Sequence, residues 1–287
     1  METMRKSVNE TAVRPKKRSR LRIFFGTLYY RYRRYLWWYF GGVAFCKKRS
    51  DEKLPFVCFT HHTPLFRQLK NVDIFLQYNK ITNLKLAVKR LDGLILYPGE
   101  TFSYWKAIGR PTRRKGYAAG MVLFCGTYRQ GIGGGLCQLS NLVYWMTLHT
   151  DLTVTERYRH SYDVFPDTDR TQPFGSGATC VYNYRDLMVK NGTTHPFQLC
   201  LKVTETNLEG EWRSRTAPLY TYQVYEKQHS LNLEYWGGYS RNNILYRKKF
   251  NSDGVVVQDE YLTENHALMM YAPFLEGEKQ KKAATDE

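Results

Sequence analysis

Cys137 is the residue of this 287-residue chain best placed to do covalent chemistry. It follows a glycine-rich loop, Gly131 to Gly135, and lies in the first turn of a predicted helix over 136–149. A thiol in that position has a lowered pKa, because the helix dipole and the free N–H groups favour the thiolate. On the same helix Cys137 shares a polar stripe with Ser140 and Asn141, which predicts a cleft rather than the core.

A nucleophilic thiol needs a general base, and His160 is our candidate. We predict strands over 153–165 and 178–190. Alternation along them places His160 and Asp186 on largely apolar faces, where each needs a partner. Asp186 would then orient His160, and His160 would deprotonate Cys137. The alternative is structural, because buried cysteines are common as small hydrophobes and the other two residues can be satisfied by core or surface neighbours.

The glycine-rich loop is also a candidate binding element. Glycines adopt positive φ readily, so the backbone amides at 133–135 can converge on an oxyanion or a phosphate, helped by the helix dipole. The neighbouring Gln138 amide would be a further donor. A loop that serves only close backbone packing is the alternative. The predicted ligand-binding residues are Gly133, Gly134, Gly135, Gln138, Ser140 and Asn141.

The cysteines and histidines give little sign of a metal or a disulfide framework. The six cysteines include no CxxC pair, and with no recognisable signal peptide we expect a reducing compartment. Cys58, His61 and His62 resemble half of a zinc site, but no second half at zinc-type spacing follows. We therefore predict neither a metal nor a cofactor.

The chemistry-bearing residues must be positioned by a mixed fold. A hydrophobic fraction of 43% and a mean hydropathy of −0.54 exclude a multi-span membrane protein and argue against wholesale disorder. We predict a helix over 83–91, a strand over 94–96, and mainly strands after residue 153, including 196–205 and 217–271. This order indicates an α+β fold, with helices early, an antiparallel sheet late, and the glycine-rich loop leading into a central helix. The predicted divisions are a basic and aromatic arm (1–49), an α+β domain (50–205), a β-rich extension (206–275) and a polar tail (276–287).

The net charge of +17 is concentrated in the arm, where residues 1–49 hold 14 Lys and Arg against two acidic residues. Aromatic residues alternate with arginines between residues 23 and 46, a pattern typical of a lipid headgroup interface. The apolar runs exceed what base stacking requires, so we favour an anionic membrane contacted by residues 14–49 over nucleic acid. No run is long enough to span a bilayer, so we expect a cytoplasmic protein held peripherally at the inner membrane face. A core helix over 23–46 is the alternative.

Several short motifs between residues 84 and 200 occur together in one known family. They are Leu91-Asp92-Gly93, Pro98-Gly99-Glu100-Thr101-Phe102-Ser103-Tyr104-Trp105, Gly116-Tyr117, Gly133-Gly134-Gly135-Leu136-Cys137-Gln138-Leu139-Ser140-Asn141, Glu156-Arg157 with His160-Ser161, Ala178-Thr179, and Asp186-Leu187 with Asn191. On these residues the chain resembles the VanW family, whose signature is a glycine-rich GGGxCQ(L/M)S followed by ER-x-x-H.

Name-bearing members of this family occur in glycopeptide-resistance gene clusters, so the resemblance implies a cell-envelope role associated with vancomycin resistance. It implies no known reaction. We expect the chain to bind or act on a peptidoglycan precursor, or to be a non-catalytic scaffold that holds another anionic ligand; an enzymatic version would be a cysteine-nucleophile hydrolase or acyl transferase. Two positions depart from the family pattern, Tyr158 in place of a frequent His and Gly177 in place of a frequent Asp. If either is catalytic in relatives, activity here is lost or changed.

Overall fold

The computed structural model describes residues 18–66, 74–124, 127–164 and 172–271, with the backbone alone at residue 124. These residues form four α-helices and thirteen β-strands. The elements are α1 (Arg20–Phe40), β1 (Phe56–Pro64), α2 (Ile74–Leu91), β2 (Leu94–Leu96), β3 (Thr101–Ser103), α3 (Tyr104–Ile108), β4 (Ala119–Phe124), β5 (Thr127–Ile132), α4 (Cys137–Thr147), β6 (Thr153–Glu156), β7 (Tyr162–Asp163), β8 (Met188–Lys190), β9 (Phe197–Val203), β10 (Asn207–Ser214), β11 (Thr221–Leu233), β12 (Tyr239–Phe250) and β13 (Val256–Met269).

The first large sheet is antiparallel, with strand order β1-β10-β9-β2. Helix α2 packs against β9, and α4 packs against β1 and β10. Along β10 buried and half-buried residues alternate, as the two-residue period of a strand requires. Its Trp212 is fully buried and donates its indole N–H to Thr147 Oγ1 of α4 at 3.1 Å. The predicted division at residue 205 falls inside this sheet, between β9 and β10.

The second large sheet contains the long strands β11, β12 and β13, with the short β7 parallel to β13. It is attached to the end of α4: Arg247 donates to the carbonyl oxygens of Leu148 and Thr150, each at 3.0 Å. Lys249 adds an ion pair with Asp151 at 3.2 Å. Early helices and late antiparallel strands confirm the predicted α+β class.

Two predicted strands are much shorter than the sequence indicated. The segment 153–165 is a strand only at its start, in β6, and again in β7, and the segment 178–190 is a strand only in β8. The reason is that side chains take the place of ladder partners. Asn141 Oδ1 accepts from the Ala178 amide at 2.8 Å, and Ser140 Oγ donates to the Ala178 carbonyl at 2.7 Å. His160 and Asp186 therefore lie in irregular backbone, and the strand alternation that grouped them was wrong.

Most of the described part of the arm, residues 18–49, forms the helix α1, which begins at Arg20. One edge of α1 is fixed to the body through buried Trp38 and through a 2.7 Å hydrogen bond between Tyr35 and Tyr182 hydroxyls. Most of its other large side chains are exposed. In the described parts of the chain, no helix combines the length and apolar character that crossing a bilayer requires. Residues 1–17 and the predicted tail over 276–287 lie outside the described residues.

Candidate functional site

Cys137 is the first residue of α4 and is half-buried. The apolar residues Leu139, Leu142, Val143 and Met146 of α4 are buried, but Ser140 on the polar side and Tyr144 are buried as well. That side is covered by the segment 176–180, which Ser140 and Asn141 hold by hydrogen bonds to Ala178. Both residues therefore position a neighbouring chain segment, and the predicted cleft beside Cys137 is filled by backbone.

The environment of the Cys137 thiol opposes ionisation. Burial raises the pKa of Cys137 above its ordinary value, and backbone N–H groups of Cys180 and Cys137 offset only part of this rise. The helix has no side-chain cap at Leu136, whose carbonyl accepts from the buried Tyr104 hydroxyl at 2.8 Å. The lowered thiol pKa expected from the helix dipole was thus wrong, because desolvation is the larger effect.

His160 and Asp186 have different neighbours from those predicted. His160 is half-buried, and its pKa is lowered first by burial and then by the nearby Arg185. Within the described parts of the chain, no hydrogen bond joins His160 to Cys137 or to Asp186. The structure thus does not connect these three side chains as a nucleophile, base and orienter, and their catalytic roles stay a prediction.

The Asp186 carboxyl is fully buried and serves the backbone around α3. It accepts hydrogen bonds from Ser103 Oγ at 2.5 Å and from the Trp105 and Leu187 amides, each at 2.9 Å. Burial raises the pKa of Asp186 to about 7, against the lowering by the Ser103 and Trp105 hydrogen bonds, and the nearby Glu156 adds to the rise. The carboxyl therefore changes charge near neutral pH.

The amides of the glycine-rich loop are already hydrogen-bonded. Those of Gly133, Gly134 and Gly135 donate to carbonyl oxygens of residues 118, 131 and 121, at 3.0, 3.0 and 2.9 Å. They do not converge on an open anion site, as the sequence had suggested. Gln138 is also engaged, because its amide donates to Thr63 Oγ1 and to the Pro64 carbonyl, each at 2.9 Å. It ties the start of α4 to the end of β1.

The glycines allow two backbone segments to cross in contact. A Cβ atom on Gly134 would lie 2.1 Å from the carbonyl carbon of Gly120, closer than any real contact. Buried Asn83 clamps the crossing, donating to the Gly134 carbonyl at 2.9 Å and accepting from the Ala118 amide at 2.8 Å. The packing alternative therefore accounts for Gly134.

Sequence reasoning missed two cavities that are lined by residues near His160 in the sequence. The smaller, about 350 Å³, is lined by Arg157, Arg159 and Arg185 among others, and we call it the arginine cavity. The larger, about 650 Å³, lies between α1 and the body. Tyr158 and Arg185 line both. The sequence signal that could have revealed the arginine cavity is the pair Arg157 and Arg159 on either side of Tyr158. The third arginine, Arg185, could not be added because it comes from a distant part of the sequence.

The two departures from the family pattern have distinct surroundings. Tyr158 is exposed at the cavities, and its ring lies 5.6 Å from the Arg185 guanidinium carbon. A Cβ at Gly177 would lie 2.8 Å from Asn141 Oδ1, the atom that accepts from the Ala178 amide. A larger side chain here would therefore require the Asn141 amide to shift.

Gly134→Ala should lower the free energy of unfolding by at least about 3 kcal/mol, because the methyl group would meet rigid backbone. Gly192→Ala is the control, since a Cβ there meets no atom within 4 Å. Urea unfolding of both variants measures the difference. Equal stability of Gly134→Ala and Gly192→Ala would contradict the backbone crossing.

Cys137 should react slowly with iodoacetamide at pH 7.5, at least about tenfold slower than a free cysteine peptide, because burial keeps it as the thiol. The rate should still be rising above pH 9. Peptide mapping by mass spectrometry follows the site in the folded chain, and Cys137→Ser identifies its peptide. A rate that levels off below pH 8.5 would instead indicate a stabilised thiolate.

Asp186 should make the folded state less stable as the pH rises from about 4 towards 7. Its pKa is raised in the folded state, so the folded protein holds the proton more tightly, and that stabilisation is lost as the carboxyl ionises. Between pH 5 and 8 the free energy of unfolding of the wild type should fall by about 2 kcal/mol more than that of Asp186→Asn. Urea unfolding at both pH values tests this, with the exposed Asp253→Asn as control. Identical pH dependence of the wild type and Asp186→Asn would refute the assignment.

Comparison with known proteins agrees with the motifs around Cys137. Residues 79–213 match the model of a family described as VanW like protein. Vancomycin B-type resistance protein VanW from Enterococcus faecalis is 32% identical over 185 residues, which cover 64% of this chain and 67% of that protein. The uncharacterized protein YoaR from Bacillus subtilis is 30% identical over 120 residues, 42% of this chain and 38% of that one. No solved structure matches the chain significantly. The chain belongs to the VanW family.

Proposed function

We propose that this protein is associated with vancomycin resistance and works at an anionic membrane surface, where it binds a peptidoglycan precursor. The first part follows from family membership, since the Enterococcus faecalis relative is by name a vancomycin B-type resistance protein. The membrane part rests on one observation, the exposed face of α1. The precursor is the class of ligand that joins a resistance role to a membrane surface.

The exposed face of α1 combines apolar and cationic side chains. The helix contains no Asp or Glu, and exposed arginines are interspersed among the exposed rings. Rings that enter the headgroup region leave water, and each nearby Arg adds about 1 kcal/mol of attraction to anionic lipid. The exposed large apolar side chains of α1 that do not line the larger cavity are Leu21, Phe24, Phe25, Tyr29, Tyr32, Leu36, Tyr39 and Phe40.

The cytoplasmic leaflet is the surface that we propose for this contact. It carries the anionic lipids that attract basic segments, and it adjoins the compartment in which peptidoglycan precursors are made. The five described cysteines are free thiols, as a reducing compartment favours.

The surroundings of Cys137 give little support to a catalytic role. The Cys137 thiol has a raised pKa and no hydrogen bond to a base in the described parts of the chain, so it lacks the activation that a nucleophile needs. The alternative, a cysteine-nucleophile hydrolase or acyl transferase using Cys137, His160 and Asp186, requires a rearrangement that brings His160 to the thiol. A thiolate detected at Cys137 below pH 8.5 would favour that alternative.

Vesicle sedimentation of the full chain tests the membrane proposal. The double variant Phe24→Ser/Phe25→Ser should bind vesicles containing phosphatidylglycerol about tenfold more weakly than the wild type, because two exposed rings leave the interface. Leu233→Ser/Tyr235→Ser is the matched control, since these residues are similarly exposed but lie outside α1. Adding lipid-linked peptidoglycan precursor to the vesicles should increase retention further.

Equal retention of the two double variants would contradict a membrane role for α1. If vesicle retention is the same with and without the precursor at every loading, precursor binding is contradicted, while the proposed membrane contact is not.

A further inference from the structure

The arginine cavity concentrates positive charge with little to balance it. Among the described residues, three guanidinium groups line it, from Arg157, Arg159 and Arg185, against one carboxylate, the exposed Glu264. No ion pair within 4 Å joins Glu264 to any of the three in the described parts of the chain. Placing like charges together in a partly desolvated cavity is unfavourable unless an anion offsets them.

Arg159 carries the sharpest sign of a missing partner. Its Nη1 atom is buried and has no hydrogen-bond acceptor among the residues that the structure describes. Burial first, and then the neighbouring Arg157, lower the pKa of Arg159, while Glu264 opposes the shift. A guanidinium nevertheless stays charged, so a buried N–H of a cation lacks the acceptor that such groups almost always have.

The other two arginines have complementary roles in the wall of the cavity. Arg157 is held rigidly: its Nε donates to the Gly177 carbonyl at 2.9 Å, and its terminal nitrogens contact Asn265 Oδ1 at 3.2 Å. Arg185 lies against the Tyr158 ring, with its side-chain N–H groups free of hydrogen bonds to described residues. The guanidinium of Arg157 is fixed, whereas those of Arg159 and Arg185 still have N–H donors to offer. Together they form a preorganised surface for an oxyanion.

We propose that the arginine cavity binds a phosphoryl or diphosphate group. Such a group carries the two or more negative charges that the excess of guanidinium requires, and its oxygens accept the paired N–H donors of arginine. The Ser161 and Tyr158 hydroxyls at the cavity supply further donors. A volume of about 350 Å³ accommodates a diphosphate and part of what it is attached to.

The position of the cavity points to the kind of molecule that bears the phosphate. It shares Tyr158 and Arg185 with the larger cleft under α1, which Arg33 also lines. A ligand in the larger cavity would therefore lie next to Arg185, which lines both cavities. The identification of that ligand with a lipid-linked precursor rests on the proposed function, whereas the phosphate site itself does not.

Calorimetric titration of the full chain with inorganic pyrophosphate tests the site without a membrane. The wild type should bind, and Arg159→Gln and Arg185→Gln should each weaken binding at least about tenfold, because each removes a charged fork. Arg113→Gln, an exposed arginine that lines neither cavity, should stay within about twofold of the wild type. Thermal melting confirms that each variant is folded, and Arg185→Lys, which keeps the charge but loses the fork, replaces any glutamine variant that is not.

Vesicles of phosphatidylcholine with phosphatidic acid distinguish the sources of the phosphate. Competition by pyrophosphate for vesicle retention would support a lipid headgroup in the cavity. Calorimetric binding without such competition would support a soluble phosphate-bearing ligand. Absence of pyrophosphate binding by the wild type, or equal binding by Arg159→Gln, would overturn the proposal. The serine variants of α1 should still bind pyrophosphate, so failure of the membrane proposal leaves a distinct result.

Discussion

The carboxylate of Glu156 makes the contacts on which the arrangement of this protein most depends. It pairs with Arg34 of α1, with nitrogen–oxygen distances of 2.5 and 2.7 Å, and it accepts from the Asp186 amide at 3.1 Å. Arg34 also donates to the Tyr184 carbonyl at 3.1 Å. One mostly buried ion pair thus joins the N-terminal helix, β6 and the segment that leads into β8. Losing one partner of a buried pair costs about 3–5 kcal/mol. Arg34 and Glu156 also line the larger cavity, so the placement of α1 and the shape of that cavity depend on the pair.

Competition between local and tertiary effects decides the chemistry of Cys137. A helix N-terminus stabilises an anion by up to about 2 kcal/mol and so lowers the pKa of a thiol. Full burial raises that pKa by several units. Here the segment around Cys180 covers the thiol, so burial outweighs the dipole. The same comparison explains Asp186, whose hydrogen bonds from Ser103 and Trp105 lower its pKa less than burial raises it.

Local pattern was sufficient where a segment satisfies its own backbone, and insufficient where distant side chains do so. The strand β9 and the glycine-rich approach to α4 could be predicted because their periodicity and turn residues are local. The loss of strand around Ala178 could not, because it depends on Ser140 and Asn141 reaching across from α4. The arginine cavity could not be predicted either, because the sequence alone does not show that Arg185 lies beside Arg157 and Arg159 in the fold.

The rigid attachment of α1 has a consequence for how the molecule would sit on a surface. A helix joined by a flexible tether would let the body tumble, whereas Trp38, the Tyr35–Tyr182 hydrogen bond and the Arg34–Glu156 pair fix the roll of α1 about its own axis. Contact with a bilayer through its exposed face would therefore set the orientation of the entire body. The cavity entrance would then stay at one height above the lipid, and the search for a ligand would proceed in two dimensions.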